Sequence, residues 1–172
     1  QAAERQRAHD DRNLARKLTP AERRQKKLRK LFGPGLGDGL AEGEQALAAL
    51  FRVRHLDHGQ SRYKVEINAQ QNHLTGCALR SAGQCVVVVE GGQKALQRYK
   101  RLMLARIQWD EPSAEGEGAP GSAGAPNSCE LVWEGPIPGP AFEEFRMVAR
   151  NADFLAREYL EERGVAHYWD LA

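Results

Sequence analysis

The chain has 172 residues, 28% of them charged, and a mean hydropathy of −0.61. This length suits one domain of ordinary size with a tail and excludes two large domains. Every uninterrupted apolar run, Cys85 to Val89 among them, is far shorter than the roughly 20 residues of a membrane-spanning helix. Because the chain begins with Gln1 instead of methionine, we expect a piece of a longer protein.

The net charge of +2 conceals an uneven distribution along the chain. Residues 1–32 hold 11 Lys and Arg against 4 Asp and Glu, whereas the remaining residues hold 14 against 19. A basic arm on a mildly acidic body predicts a polyanionic partner that is held partly by the arm. The chain has three cysteines and no CxxC spacing, which predicts free structural thiols in a reducing compartment.

Residues 1–32 are predicted to form a basic helical arm. Thr19 can cap a helix, Pro20 suits its first position, and Glu22 can complete a capping box with Thr19. The helix that follows is either a solvated charged helix or a helix laid on a phosphate backbone. Residues 33–45 are rich in glycine and predict a flexible linker to a folded domain over residues 46–172.

The first part of the folded domain is ambiguous in its periodicity. Alternation of apolar and polar residues over 51–56 favours a strand with one wet face. Residues 60–80 favour a helix to about Asn72, followed by a short strand near residues 77–79. The polar run from Asn68 to Thr75 can contact nucleic acid, although surface or capping roles are the more common use of such residues.

The stretch from Cys85 to Trp109 is the most strongly patterned part of the chain. Four consecutive valines predict a central strand that is buried on both faces. Gly91 and Gly92 then turn the chain into an amphipathic helix. Its apolar positions are Ala95, Leu96, Tyr99, Leu102, Met103 and Ile107, and its other side carries Lys94, Arg98, Lys100, Arg101 and Arg106.

The last third of the chain alternates turn signals with short elements. Residues 112–128 are low in complexity and predict a disordered loop. Strands are predicted over 129–135 and 142–148, and the second of them can pair back on the first. A helix capped by Asn151 and ended by Gly164 follows, with Phe154, Leu155, Tyr159 and Leu160 on its apolar face. Residues 165–171 predict a last, aromatic strand.

These elements predict an α+β fold. From Cys85 onward the order is β-α-β-β-α-β, which is a ferredoxin-like sheet with two helices on one face. The earlier strand, helix and strand are an added segment, and the basic helical arm precedes them. The other face of such a sheet is often open, and single-stranded nucleic acid can stack on aromatic rings there. The available rings are Trp133, Tyr168 and Trp169, each of which is more often a core residue.

Several long motifs make the chain similar to a known family. It resembles the C-terminal region of the pre-mRNA-processing factor 3 family. The resemblance is carried by LTPAERRQKKLRKL at 18–31, YKVEINAQQNHLTGC at 63–77, VVVVEGGQKALQRYKRLMLARIQW at 86–109, CELVWEG at 129–135 and HYWDLA at 167–172.

The resemblance implies a nuclear, spliceosomal RNA-binding protein of the U4/U6·U5 tri-snRNP. Its basic helical stretch would grip the U4/U6 snRNA duplex, and its ferredoxin-like domain would bind the single-stranded 3′ end of U6, alongside other tri-snRNP proteins. We therefore expect RNA contacts from Lys17, Arg23, Arg24, Lys26, Lys27, Arg29, Lys30, Asn68, Gln71, His73, Thr75, Lys100, Arg101 and Arg106.

Two other classes of function compete with RNA binding. A protein-docking module of the tri-snRNP would make little direct RNA contact, and Leu104 on the basic side of its helix hints at such a partner. An enzyme is the other alternative, but no serine, cysteine or carboxylate set forms a catalytic pattern. His73, Cys77 and Cys85 do not have zinc-site spacing. We expect no turnover, no metal, no cofactor, no membrane partner and no small-molecule substrate.

Overall fold

The computed structural model describes residue 5 and the ranges 17–32, 45–109 and 126–172, with side chains only up to Lys26 in the first range. The predicted linker, apart from residue 45, and the predicted loop, apart from residues 126–128, lie outside these ranges. The described helices are α1 (Pro20–Phe32), α2 (Gly59–Gln71), α3 (Gln93–Arg101), α4 (Asp153–Glu161) and α5 (His167–Leu171). The described strands are β1 (Ala46–Val53), β2 (Thr75–Arg80), β3 (Cys85–Gly91), β4 (Cys129–Ile137) and β5 (Phe145–Ala149).

The strands form one sheet in the order β4-β1-β3-β2-β5. Neighbouring strands are antiparallel except β2 and β5, which are parallel. The first four strands with α2 and α3 are a ferredoxin-like βαββαβ unit, which confirms the predicted fold class. Its predicted position was wrong, because the unit runs from Ala46 to Ile137 and does not begin at Cys85. The added segment is the C-terminal β5, α4 and α5.

The shift of the unit has a physical cause in β1. A strand with one wet face was predicted over 51–56, but the strand runs from Ala46 to Val53, lies between β4 and β3, and has most of its side chains buried. Only Arg52 is exposed. The small and aromatic residues of Ala46–Val53 can be buried on both faces of the sheet. The periodicity of such a short apolar run does not show whether one face or both are buried.

The valine strand β3 is the centre of the sheet, as predicted. Val86 to Val89 are all 0% exposed. Val87 and Val89 lie in the core layer beneath α2 and α3, and Val86 and Val88 lie in the layer on the opposite face. Gly76 on β2 lies directly beside this strand, with φ of +138° and an ideal Cβ position 2.0 Å from the Val88 carbonyl oxygen. No side chain fits at residue 76.

The second face of the sheet is covered, which corrects the prediction of an open face. Residues of α4 and α5, including Tyr159, Leu160 and Tyr168, bury it. The predicted strand over 165–171 is wrong because α5 (His167–Leu171) occupies it. The Tyr168 amide donates to Val165 O and the Trp169 amide donates to Ala166 O, each at 3.0 Å. A run this short does not distinguish a strand from a helix by its hydrophobic pattern.

The elements around α4 differ from the prediction in three further ways. β5 does not pair with β4 but lies parallel to β2. The residue before α4 is Ala152, and no side chain caps the helix, so Asn151 is not its cap. Phe154 is 70% exposed instead of packed on the sheet. Gly164 ends this helical segment with φ of +72°, as predicted. Within the described ranges, every helix is too short or too polar to span a bilayer.

Candidate nucleic-acid interface

The outer side of α3 is a row of cations. Residues 93–109 contain five Lys and Arg and no Asp or Glu. The helical repeat buries Ala95, Leu96 and Tyr99 against the sheet and turns the charged residues outward. Lys94, Arg98, Arg101 and Arg106 are exposed, and none of them forms an ion pair with another residue of the described ranges. We call these four the α3 cation row.

Lys100 differs from this row because it forms an ion pair with Glu134 on β4. The pair joins α3 to the edge of the sheet and neutralises the Lys100 charge locally. Among the three predicted RNA contacts at this helix, Lys100 is engaged within the fold, whereas Arg101 and Arg106 form no ion pair with any residue that the structure describes.

A π-helix over Leu102–Arg106 directly continues α3. Its closing bond runs from the Ile107 amide to Leu102 O at 3.0 Å, and Trp109 Nε1 donates to Met103 O at 2.7 Å. Ile107 stays buried, while Leu104 is 46% exposed beside the α3 cation row. Such π-turns are frequent at functional sites, and this one places an apolar side chain among cations.

Helix α1 extends the cationic surface. The predicted capping box is confirmed, with Thr19 N donating to Glu22 Oε2 at 2.7 Å and Glu22 N donating to Thr19 Oγ1 at 3.2 Å. The backbone of α1 lies against α3. Four of the selected arm residues are exposed, namely Lys17, Arg23, Arg24 and Lys26. The side chains of Lys27, Arg29 and Lys30 lie outside the described residues.

The contact between α1 and α3 brings two like-charged helices together. Cations on neighbouring exposed helices repel each other over distances up to a Debye length of about 10 Å at 0.1 M salt. A polyanion lying along both helices would remove this repulsion and release its own counterions. The arrangement therefore favours a phosphate backbone as ligand.

The polar run from Asn68 to Thr75, which spans the end of α2 and the start of β2, forms a corner near the N-terminal end of α3 that we call the polar corner. A Cβ at Gly91 would lie 2.6 Å from Leu74 Cδ2, so the residues after α2 adjoin the turn that begins α3. The cation row starts at this corner with Lys94 and ends at Arg106, about 18 Å away at 1.5 Å per residue. The structure thus places the polar corner at the end of the sheet where α3 and the cation row begin.

The four selected residues in this corner have different roles. Asn68 Nδ2 donates to Lys64 O at 2.8 Å, and Thr75 Oγ1 donates to Glu90 Oε2 at 3.3 Å. Both groups are half-buried and serve the fold, in line with the capping alternative. Gln71 and His73 are exposed, and His73 has φ of 51° in the left-handed region. Gln71 and His73 are therefore the corner residues that a ligand can reach.

Glu90 was not predicted to have a role, but its buried carboxylate holds the polar corner in place through hydrogen bonds. Its Oε2 accepts hydrogen bonds from the Ala141 amide at 2.9 Å and the Phe142 amide at 3.2 Å, in addition to Thr75. The side chain is only 1% exposed, and burial raises the pKa of its carboxyl group. A glutamate that ends a run of valines is the only sequence signal for this buried acid.

The thiols and rings are structural. Cys77 and Cys85 are buried in opposite core layers, as expected for structural thiols, and burial raises the pKa of Cys77 to about 12. In the part of the chain that the structure describes, no three His, Cys, Asp or Glu side chains are grouped to hold a metal. Trp133 packs on buried Tyr168 with ring centroids 5.9 Å apart. Together with the covering of this face by α4 and α5, this packing leaves no open aromatic platform on the described sheet.

Fold and surface together define a ferredoxin-like α+β domain with an accessory cationic helix and a cationic helical edge. Residues 49–172 match the family model described as small nuclear ribonucleoprotein Prp3, C-terminal domain. The chain belongs to this family, and the match confirms the resemblance carried by its motifs.

Two curated relatives cover nearly the whole chain. Protein RDM16 of Arabidopsis thaliana is 42% identical over 173 residues, which is 99% of this chain and 21% of that protein. The U4/U5/U6 small nuclear ribonucleoprotein prp3 of Schizosaccharomyces pombe (strain 972 / ATCC 24843) is 38% identical over 183 residues, which is 100% of this chain and 32% of that protein. The chain thus spans a third or less of the length of either relative.

Solved structures with a related chain path are more distant in sequence. BlrB, a BLUF protein, is 19% identical with a TM-score of 0.45, covering 74% of this chain and 96% of that one. An acylphosphatase from Coxiella burnetii is 16% identical with a TM-score of 0.39, covering 60% of this chain and 93% of that one.

Proposed function

We propose that the chain is an RNA-binding scaffold of the spliceosomal U4/U6·U5 tri-snRNP in the nucleus. In this role α1 and the residues before it grip the U4/U6 snRNA duplex, and the folded domain binds the adjacent single-stranded 3′ end of U6. The role is binding, without a chemical step. The family match and the name of the fission-yeast relative, a U4/U5/U6 small nuclear ribonucleoprotein, support a place in this assembly.

The observation that carries the proposal is the exposed charge of Arg23, Arg24 and Lys26 on α1 and of the α3 cation row, none of which forms an ion pair with another described residue. Exposed cations without ion pairs are free to contact phosphates, and the contact between the two helices makes their charges act on one ligand. Double-stranded RNA is held mainly by shape and backbone contacts, which suits the cationic arm. A single strand exposes base edges and 2′-hydroxyl groups, which suits the exposed amide and imidazole of Gln71 and His73.

The covered sheet changes how the single strand is proposed to bind. RNA would follow the edge formed by the polar corner and the α3 cation row, and would not stack on the sheet. Among the selected residues, Lys17, Arg23, Arg24, Lys26, Gln71, His73, Arg101 and Arg106 are exposed and remain proposed contacts. Lys94 and Arg98 join them because they continue the same row.

A binding titration tests the proposal. The full chain is titrated onto a U4/U6 duplex with a U6 3′ single-stranded tail and onto the same duplex without the tail, between 50 and 200 mM salt. We expect tighter binding to the tailed RNA and a linear fall of log affinity with log salt. A variant lacking residues 1–32 should keep affinity for the isolated tail. Absence of binding at 50 mM salt would overturn the proposal.

A protein-docking role is a second candidate, supported by exposed Leu104. A partner that binds there would cover an apolar side chain and leave the salt dependence of RNA binding unchanged. Substituting Leu104 by the neutral residue Ser should then abolish partner assembly in a tri-snRNP pull-down, while RNA affinity stays within about twofold. Loss of RNA affinity alone would argue against docking at this residue.

A further inference from the structure

The side of α4 that faces away from the sheet carries one aromatic ring and two carboxylates. The helical repeat buries the opposite side of this helix and leaves Phe154, Glu158 and Glu161 exposed. Residues four and seven positions apart lie on the same face of a helix, so the three side chains form one row. Phe154 is 70% exposed. We call these three residues the acidic ridge.

The charge on this side of the domain is negative when every charged residue is counted. Residues 151–172, which contain α4 and α5, hold five Asp and Glu and two Arg, for a net charge of −3 with His167 neutral. Both arginines are paired within the region, in the ion pairs Arg157–Glu161, Arg157–Asp170 and Arg163–Glu162. Glu158 forms no ion pair with a described residue. A cation that reaches the acidic ridge therefore meets an uncompensated carboxylate.

Two further arginines, Arg146 and Arg150, lie close to α4 but on another side of it. Arg150 lies over the Tyr159 ring, with its Cζ 5.2 Å from the ring centroid, and Arg146 forms an ion pair with Glu144. Consecutive helix residues are about 100° apart around the axis, which places Tyr159 about 100° or more from each residue of the acidic ridge. The complement of the ridge is therefore a surface that combines cations with an apolar side chain.

The chain carries such a surface on α3 and the π-helix that continues it. Leu104 is 46% exposed, and Arg101 and Arg98 precede it at steps of three residues on the outer side of the helix. Neither arginine forms an ion pair with a described residue. Because α3 packs on one face of the sheet and α4 on the other, the two surfaces of a single chain cannot meet. A second copy can bring its α3 surface to the acidic ridge.

The basic arm of the same chain is a poorer complement to the ridge. Its most cationic part, α1, lies against α3 and thus on the other side of the sheet. Residues 1–16 hold four Arg and three Asp and Glu, so they carry little net charge. Residues 33–44 and 110–125 contain acids and no Lys or Arg. The α3 surface of a second copy is therefore the best cationic complement within this protein.

The two surfaces match in length when their helices run antiparallel. At about 1.5 Å per residue, the two carboxylates of the acidic ridge lie about 6.0 and 10.5 Å along α4 from Phe154. Arg101 and Arg98 lie about 4.5 and 9.0 Å from Leu104, towards the start of α3. With Leu104 against Phe154, each arginine is thus about 1.5 Å along the axis from a carboxylate. Side chains of this length close such a gap, so both ion pairs can form.

We propose that this protein associates with itself, and that Leu104, Arg101 and Arg98 of one copy dock on the acidic ridge of a second copy. The contact joins two different surfaces, so each pair keeps a free acidic ridge at one end and a free α3 surface at the other. Further copies can then add in a head-to-tail row. A contact between two helix faces about 14 Å long buries far less than the roughly 1,200 Å² of a stable specific interface, so the association is weak and reversible.

Sedimentation velocity of the full chain without nucleic acid tests the association. The measurements cover rising protein concentrations at about 0.1 M and about 1 M salt, where the Debye length is about 10 and about 3 Å. At the lower salt the sedimentation coefficient should rise with concentration beyond that of a dimer, because each added copy leaves a free acidic ridge. At the higher salt the chain should sediment as a monomer over the same range, because exposed ion pairs are screened.

Charge reversal on either surface gives the matched test. Arg101→Glu and Glu158→Arg each place like charges across the contact, and each should weaken the association at least about tenfold. Both positions are exposed on helices, so the fold tolerates either change. An equimolar mixture of the two variants should associate like the wild type, because the reversed charges of the two chains then face each other. Arg62→Glu, on α2 and outside both surfaces, is the control and should change the association less than about twofold.

Three results overturn the proposal. The first is a chain that stays monomeric at the lower salt at every concentration. The second is an association that the higher salt leaves unchanged, which assigns the contact to apolar surface alone. The third is a mixture of the two reversed variants that stays monomeric although the wild-type chain associates, which places the contact elsewhere on the molecule.

Discussion

Removal of the α3 cation row is the most direct test of how the folded domain contacts RNA. The perturbation replaces Lys94, Arg98, Arg101 and Arg106 by Ala in the full chain. All four are exposed and unpaired among the described residues, and alanine is the best helix former. The free energy of unfolding should therefore change by no more than about 0.5 kcal/mol for each substitution.

The magnitude of the effect follows from the number of cations. Each phosphate contact with a single strand contributes about −0.7 to the slope of log affinity against log salt. Four lost contacts should make the slope less steep by about 2.8. Between 50 and 200 mM salt the wild-type chain should then lose about 50-fold more affinity than the variant does.

The assay is fluorescence anisotropy of a labelled U4/U6 duplex with a U6 3′ tail. The matched control is Lys100→Ala, because Lys100 forms an ion pair with Glu134 and is not available to phosphate in the free chain. For this variant the slope of log affinity against log salt should change by less than the roughly 0.7 that one phosphate contact contributes. A quadruple variant with the wild-type slope, or a Lys100→Ala chain with an equally reduced slope, would refute the reasoning.

The remaining predictions concern the core. Gly76→Ala should lower the free energy of unfolding, measured in urea, by about 3 kcal/mol or more, because the added Cβ would overlap the Val88 carbonyl. The control Gly139→Ala should have little effect, because the space around Gly139 is open. Equal effects of the two substitutions would contradict this reasoning. Because the Glu90 pKa is raised above 4.5, the folded chain holds the proton more tightly than the unfolded chain. The free energy of unfolding of the wild type minus that of Glu90→Gln should therefore fall as pH rises from 4.5 towards neutrality, and a pH-independent difference would argue against a buried acid. With a pKa of about 12, Cys77 should react with iodoacetamide at pH 8 only as fast as the chain unfolds, and faster labelling would contradict its burial.

The sequence by itself determined the elements whose signals are local. The valine run specified a strand buried on both faces, and the repeat in α3 specified which side is apolar and which is cationic. The capping box at Thr19 and Glu22 was also readable, because its hydrogen bonds join residues three apart. The cations on α3 could be predicted as candidate RNA contacts because the helical repeat, which is also a local signal, places them on the outer side.

Only the tertiary structure decided which strands are neighbours and what covers each face. A periodic pattern shows that a face is apolar, but not which element buries it. Val165 to Leu171 reads equally as strand or helix, and its burial of the second sheet face removed the expected stacking platform. Long-range contacts also pair Lys100 with Glu134, unlike its neighbouring cations, which have no ion-pair partner in the described ranges, and they engage Thr75 with Glu90. These partners lie 34 and 15 residues apart, so no local signal could have identified them.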